Sequence, residues 1–407
     1  MLYPLYIDPG TGSMLFSIVI GAAATLYFLA RALIIKAKVV FSGGRTAAVA
    51  GVRHPAIIYS EGKQYWTVFK PVLDVFEKEQ RELLYLTSAR DDPVFEETYR
   101  YIQREYIGEG NKAFTRLNFF AADIVLMTTP GLEVYQLKRS KTVTHYSHVL
   151  HAPSDATMYR LFGIDYFDSV LLTGDYQAKD IRALEQLRGL PEKQLLTVGC
   201  TYLDVYAEKL KHIPPEENHP FTVLVSPSWG ASGLLTRYGA KLLDPLLKTG
   251  WRIIVRPHPQ SKKSENAMLE ALTKRYADTD TLLWDYERDN IYTLAKADIM
   301  ISDFSGIIFD YLFLCDKPVM YVKQGIDLRP YDADDLTDEL WQFKIVREIG
   351  IELKAEDFEA IGALITRASD SAELQEARRR AKETAWQYPG EAGKRIADFM
   401  ATVIHKH

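Results

Sequence analysis

The chain has 407 residues, 47% hydrophobic and 25% charged, and a formal charge of -5 at pH 7. That length suits about two globular domains with an appendage, and the acidic balance removes any global attraction to nucleic acid. Cys200 and Cys315 lie far apart in apolar surroundings without metal-ligand spacing, so they read as core residues of a reducing compartment, with no metal site.

Residues 1–12 form a short N-terminus, and Met14 to Ala30 carries no charge. A helix over 13–35 spans roughly 34 Å at 1.5 Å per residue, enough to cross a bilayer core. Asp8 precedes the apolar run and Arg31, Lys36, Lys38 and Arg45 follow it. This order is the reverse of a cleaved signal peptide and predicts an uncleaved single-pass anchor in membrane lipid, with the short N-terminus outside and the bulk of the chain cytoplasmic.

Residues 50–210 alternate strands and helices. Pro55–Tyr59, Leu83–Thr87, Ile124–Thr128, Val143–Leu150, Ser169–Thr173 and Leu195–Gly199 are mostly continuous apolar runs of buried parallel type, separated by helical stretches such as Gln64–Lys78 and Tyr176–Leu187. The polar, proline-bearing stretch from Lys211 to Pro220 reads as a linker. Residues 221–389 repeat the alternation, with strands at Thr222–Ser226, Arg252–Val255, Thr281–Leu283, Asp298–Ile301 and Pro318–Val322. Helical stretches there include Leu234–Thr249, Ser264–Tyr276, Ser305–Cys315 and Phe358–Ala368, and the last helix, within 390–407, is free to cross back onto the first domain. The expectation is an α/β chain of two facing doubly wound, Rossmann-like domains, with a cleft between the carboxyl edges of their sheets.

Three clusters fall at those edges. Ser302, Asp303, Ser305 and Gly306 follow an apolar strand and open a helix, where exposed N–H groups and hydroxyls suit phosphate; Ser302 and Asp303 as plain helix caps are the simpler alternative. Asp310, about one turn into that helix, can accept hydrogen bonds from sugar hydroxyls. Arg256-Pro257-His258-Pro259 ends another strand and supplies a bidentate cation and an imidazole for a diphosphate, or a histidine that only caps its turn. Ser226-Pro227-Ser228-Trp229-Gly230 is a third candidate ligand loop, with an ordinary helix cap as the competing explanation. On the first domain, His145, His148 and His151 are candidates for a general base. Their spacing of three puts neighbours on opposite strand faces, which argues against a shared metal, and His151 lies furthest toward the cleft.

These residues carry a resemblance. Arg256-Pro257-His258-Pro259, the Ser302-Asp303-Phe304-Ser305 turn with Phe309-Asp310-Tyr311 behind it, Lys317-Pro318, and Gly199 to Asp204 resemble the CDP-glycerol glycerophosphotransferase family of teichoic-acid synthesis, over most of Val143 to Tyr321. The resemblance implies a GT-B fold and a membrane-associated transferase. It would move glycerophosphate from a CDP-alcohol donor to a membrane-linked or polymer acceptor and release CMP, with no cofactor and no obligatory metal. It further implies His258 on the donor diphosphate, Ser302 and Ser305 on phosphate beside Arg256, Asp303 and Gly306, and Asp310 on the nucleoside side with Ser226 and Ser228. His151 is then the acceptor-side base. A GT-B nucleotide-sugar transferase or UDP-sugar epimerase, a membrane-tethered nucleotide sensor, and a scaffold with a vestigial site are the competing readings.

Overall fold

The computed structural model describes Tyr27 and residues 52–287, 289–303, 305–323 and 325–405. Apart from Tyr27, the expected anchor and the N-terminus before it lie outside the described residues, among which no helix is long and apolar enough to cross a membrane.

Seven parallel strands make the first sheet, in the order β3-β2-β1-β4-β5-β6-β7. They are β1 (Arg53–Ser60), β2 (Leu83–Thr87), β3 (Ile102–Tyr106), β4 (Ala121–Met127), β5 (Val143–Val149), β6 (Ser169–Leu172) and β7 (Gln194–Thr197). Six more form the second sheet, in the order β10-β9-β8-β11-β12-β13: β8 (Thr222–Val225), β9 (Arg252–Val255), β10 (Leu282–Trp284), β11 (Ile299–Ser302), β12 (Val319–Tyr321) and β13 (Gly350–Glu352). The central strands are apolar throughout because helices cover both faces; β2, β8 and β11 are buried along their whole length. Strands β3 and β13 were not foreseen. Each is a short edge strand, IQREY and GIE, without the apolar run that betrays a central one.

Helix α1 (Trp66–Lys78) buries Val68, Phe69, Val72, Leu73 and Phe76, the three-to-four spacing of a single apolar face. Further along come α2 (Gln177–Arg188), α3 (Thr201–Lys211), α4 (Leu234–Lys248), α5 (Ile307–Cys315), α6 (Trp341–Ile349), α7 (Ala372–Ala385) and α8 (Ala392–Ile404). Although α8 is last in sequence, its Ile396, Phe399 and Met400 belong to the first domain's core with Phe69 and Phe76. It lies so close to α1 that a Cβ on Gly393 would stand 2.6 Å from the Pro71 Cβ. The return crossing is fixed by Gly199 to Asp204. Gly199 takes φ +94° beneath the Gln387 carbonyl, and the Asp204 carboxylate accepts from Trp386 Nε1 (2.9 Å) and from the N–H groups of Gly390 (2.8 Å) and Ala392 (3.1 Å). The segment that resembles the family's is thus a structural joint.

In the second sheet the strand order reverses between β8 and β11, which opens a crevice beyond their carboxyl ends, the usual ligand position of such sheets.

Candidate active site

The crevice begins at the turn after β11. Ser302 is buried and donates its hydroxyl to the Ser226 carbonyl at 2.5 Å, tying β11 to β8. Asp303, 2% exposed, accepts from the N–H groups of Ser228 and Leu234, both at 2.9 Å. It therefore braces the loop after β8 and caps the N-terminus of α4. Burial raises its carboxyl pKa, opposed by those backbone hydrogen bonds. Ser305 and Gly306 remain open to the crevice. Gly306 is the N-cap of α5, and a Cβ built on it would meet nothing within 4 Å, so the N-terminus of this nine-residue helix has free space before it.

That space is part of a cavity of about 640 Å³ between the domains. Ser305, Gly306 and Asp303 form its polar end with Lys323, which follows β12 and is exposed. Phe309, Tyr321, Leu336, Leu340 and Phe343 give much of the remainder an apolar, partly aromatic lining, interrupted by Asp338, Gln342 and the Glu339–Arg347 ion pair. The outer wall is the stretch 325–340, which crosses to the first domain: the Asp332 carboxylate accepts from the N–H groups of Phe162 (2.6 Å) and Gly163 (3.1 Å) and from Arg188 of α2 (2.7 Å). Asp155 of the first domain in turn caps α6, accepting from the N–H groups of Trp341 (3.1 Å) and Gln342 (2.8 Å). Burial raises the Asp155 carboxyl to about 6 against those bonds.

The first domain contributes Ser154 and Met158 to this cavity, and both also line a smaller one, of about 190 Å³, that includes His151. The two cavities therefore adjoin, with those two residues in the wall between them. His145 and His148 lie on opposite faces of β5, one bonded to Ser169 (2.8 Å) and edge-on to Phe399, the other enclosed by Tyr159 and Phe167. His151 stands beyond the strand end with the Tyr65 ring edge-on at 5.2 Å. The Tyr159 hydroxyl sits between His148 Nε2 (3.1 Å) and His151 Nδ1 (3.4 Å). Burial lowers the imidazole pKa of His151 to about 4 and that of His148 to about 3, so both are neutral at pH 7.

Several residues expected at the ligand are engaged elsewhere. Arg256 is ion-paired with Asp285 and donates to the Glu287 carbonyl (2.6 Å), which removes two of its donors from the crevice. Ser302 and Ser226 hold each other; Ser228 gives its N–H to Asp303, while its buried hydroxyl has no hydrogen-bond partner. Asp310 is not among the residues lining the cavity; it accepts from Tyr202 of α3 at 2.9 Å, because its side of α5 packs on α3. His258 also lies outside the lining. Its Nδ1 accepts from the Gln260 N–H (3.1 Å), which puts the proton of the neutral ring on Nε2, and burial lowers its pKa against the opposing charges of Glu265 and Asp303. Lys323 was missed. The signal was available, since it is a lone cation just past an apolar strand, the same logic applied to Arg256.

No curated protein matches the chain in sequence. Among solved structures, the wall teichoic acid polymerase TagF matches with a TM-score of 0.53 at 13% identity, covering 86% of this chain and 89% of that one. A TagF variant matches at 0.57 and 12%, covering 95% and 98%. The UDP-GlcNAc 2-epimerase of Methanocaldococcus jannaschii matches at 0.54 and 13%, covering 86% and 100%. At these identities the likeness is one of fold, and it includes enzymes of different chemistry. The sequence pattern of one family is more specific, matching residues 182–401, just over half the chain and all of the second domain. The protein is accordingly a member of the CDP-glycerol:poly(glycerophosphate) glycerophosphotransferase family, and a transferase of that kind.

Proposed function

We propose that this enzyme moves glycerophosphate from CDP-glycerol, or a related CDP-alcohol, to a hydroxyl of a membrane-linked or polymer acceptor, releasing CMP. The wall shared by the two cavities at Ser154 and Met158 carries the reading, because it sets a phosphate-suited turn and a partly buried imidazole in adjoining cavities.

The nucleoside occupies the apolar part of the larger cavity between Tyr321 and Phe343, and the diphosphate lies at the α5 N-terminus. There the Ser305 hydroxyl, the N–H groups of Gly306 and Ile307 at the start of α5 and the Lys323 ammonium neutralise its charge. The acceptor enters from the His151 side. Its oxygen attacks the phosphorus that bears glycerol, the bond from that phosphorus to the oxygen shared with CMP breaks, and the hydroxyl proton passes to His151. Transfer to Nε2 requires the tautomer in which Nδ1–H donates to the Tyr159 oxygen and the Tyr159 hydroxyl donates to His148 Nε2. His258 lies outside that lining but within electrostatic reach of Asp303, and in this scheme its Nε2–H turns to the leaving phosphate once the donor is bound. No cofactor enters this scheme. The charge-free run at residues 14–30 supports a membrane anchor that holds both domains on the cytoplasmic side.

The test is CMP release by the full chain supplied with CDP-glycerol and membrane extract as acceptor. Release that is lost in His151→Ala, while CDP still binds, supports the scheme. Tight CDP binding without any release, from this or other CDP-linked donors, would overturn it in favour of a nucleotide sensor.

A further inference from the structure

The outer wall of the larger cavity serves two purposes. Through Leu328, Ala333, Leu336 and Leu340 it lines the space for the donor. Through its backbone and Asp332 it is bonded to a short run of the first domain, residues 159–163. Arg160 and Tyr331 form an antiparallel bridge there. The Leu161 N–H donates to the Pro330 carbonyl (3.3 Å), and the Asp332 N–H donates to the Tyr159 carbonyl (2.9 Å). Asp332 is fully buried, and its carboxylate takes the N–H groups of Phe162 and Gly163. Arg188 holds the same carboxylate, pairs with Asp165 (2.8 Å) as well, and lies over the Phe162 ring at 4.8 Å. The three first-domain backbone groups bonded to Asp332 thus belong to Tyr159, Phe162 and Gly163.

Tyr159 is where this seam reaches the chemistry. Its carbonyl meets the wall, while its hydroxyl sits between two imidazoles, 3.1 Å from His148 Nε2 and 3.4 Å from His151 Nδ1. The second contact exceeds an ordinary hydrogen bond by a few tenths of an ångström, and contacts of this kind tighten in a working complex. A shift of that size in Tyr159 decides whether His151 Nδ1 is held, and with it where the ring points its other nitrogen. His148 is fully buried and packed edge-on against Tyr159 and Phe167, so it is the fixed end of the trio. We infer that Asp332 is a positioning residue for His151: it anchors residues 159–163 so that the Tyr159 hydroxyl reaches His151 Nδ1, and the wall of the donor cavity thereby holds the acceptor-side base in line. The inference rests on the transfer reading above and adds to it a residue of the other domain. Asp332 lines neither cavity, so its effect on turnover passes through the segment it anchors.

The experiment measures CMP release by the full chain from CDP-glycerol with membrane extract as acceptor, expressed per CDP-binding site. Asp332→Asn keeps the shape but exchanges one accepting oxygen for an amide donor, so one of the two N–H groups loses its acceptor and Arg188 loses its charge partner. Its kcat is expected to fall about tenfold, with KM for CDP-glycerol within about twofold of the unsubstituted chain. Tyr159→Phe removes only the hydroxyl and is expected to lose as much. The double variant decides between one route and two: it should be no slower than the slower single variant, whereas independent effects multiply to about a hundredfold. Gly163→Ala disturbs Tyr159 with Asp332 intact, because a Cβ there would stand 2.6 Å from the Tyr159 Cβ. It should lower kcat similarly and likewise add nothing to Tyr159→Phe, which keeps the test decisive where Asp332→Asn does not fold. Losses that multiply, or turnover per CDP site that is unchanged in Asp332→Asn and Gly163→Ala, would overturn the positioning and leave Asp332 a structural brace. Those outcomes leave the transfer reading standing as long as release still depends on His151. No CMP release by the unsubstituted chain, or release that survives His151→Ala, would overturn both.

Discussion

At the end of β11 most polar atoms already have a protein partner: Ser302 is bonded to Ser226 and Asp303 to Ser228 and Leu234, while Ser305 and Gly306 line the cavity. At the end of β5 the reverse holds, and His151 has a single long contact, to Tyr159 at 3.4 Å, among aromatic rings. In the proposed scheme the donor side is therefore shaped by a polar scaffold set one layer back, whereas the acceptor side sets the basicity of one imidazole by burying it. Changes near β11 should appear first in stability or donor binding; changes near β5 should appear first in turnover and its pH dependence.

The largest effect should come from His151→Ala. Loss of a positioned general base costs about 10² to 10⁴ in kcat, and a partly buried ring at a strand's end is removed with little loss of stability. The pH profile sharpens this. Since burial holds the free-enzyme imidazole at about 4, kcat/KM should stay level from pH 8 down to pH 5 and fall only below that; an acid limb centred near the ordinary histidine value of about 6.5 would show that the base is another group.

Asp303→Ala breaks the comparison from the other side. It strands the N–H groups of Ser228 and Leu234 and uncaps α4, a cost of about 2–4 kcal/mol. Urea unfolding of the second domain should shift accordingly, and CDP binding should weaken only as the loop after β8 loosens. Lys323→Met is smaller. It removes one charge-assisted contact to phosphate, so KM for CDP-glycerol should rise about tenfold with kcat little changed and the urea midpoint unmoved. An unchanged KM would return the cationic role to Arg256, despite its pairing with Asp285.

The sequence exposed the sheets because their central strands are continuous apolar runs such as ADIMIS, and it located the crevice because strand ends in a parallel sheet share an edge. It could not tell a ligand hydroxyl from a structural one. Ser302 and Ser305 look equivalent in S-D-F-S, yet the pleat turns one into the sheet junction and leaves the other at the helix start. Nor could it see that Asp204, within the family-like Gly199 to Asp204, serves Trp386 and the start of α8, because those partners lie more than 180 residues away. Strand β3 was hidden by its polar edge composition, and the wall formed by 325–340 by a register with Arg160 to Gly163 that no local pattern encodes.

Asp310 tests the same contrast at its mildest. Its position one turn into α5 suggested a ligand carboxylate, but it meets the Tyr202 hydroxyl between α5 and α3, and burial raises its pKa to about 7 while that hydrogen bond opposes the rise. The folded chain thus keeps a proton there that the unfolded chain, with a carboxyl near 3.9, has released. Between about pH 4 and pH 7 the native state binds more protons, so this group's contribution to stability is full at low pH and drains away as pH climbs through 7. Asp310→Asn keeps the shape and an acceptor for Tyr202 but cannot ionise. Thermal melts at pH 5.5 and pH 8 should therefore show the unsubstituted chain losing more stability than the variant over that interval, with KM for CDP-glycerol the same in both. Parallel melts together with a raised KM would move Asp310 back to the nucleotide, and with it the boundary between scaffold and site in α5.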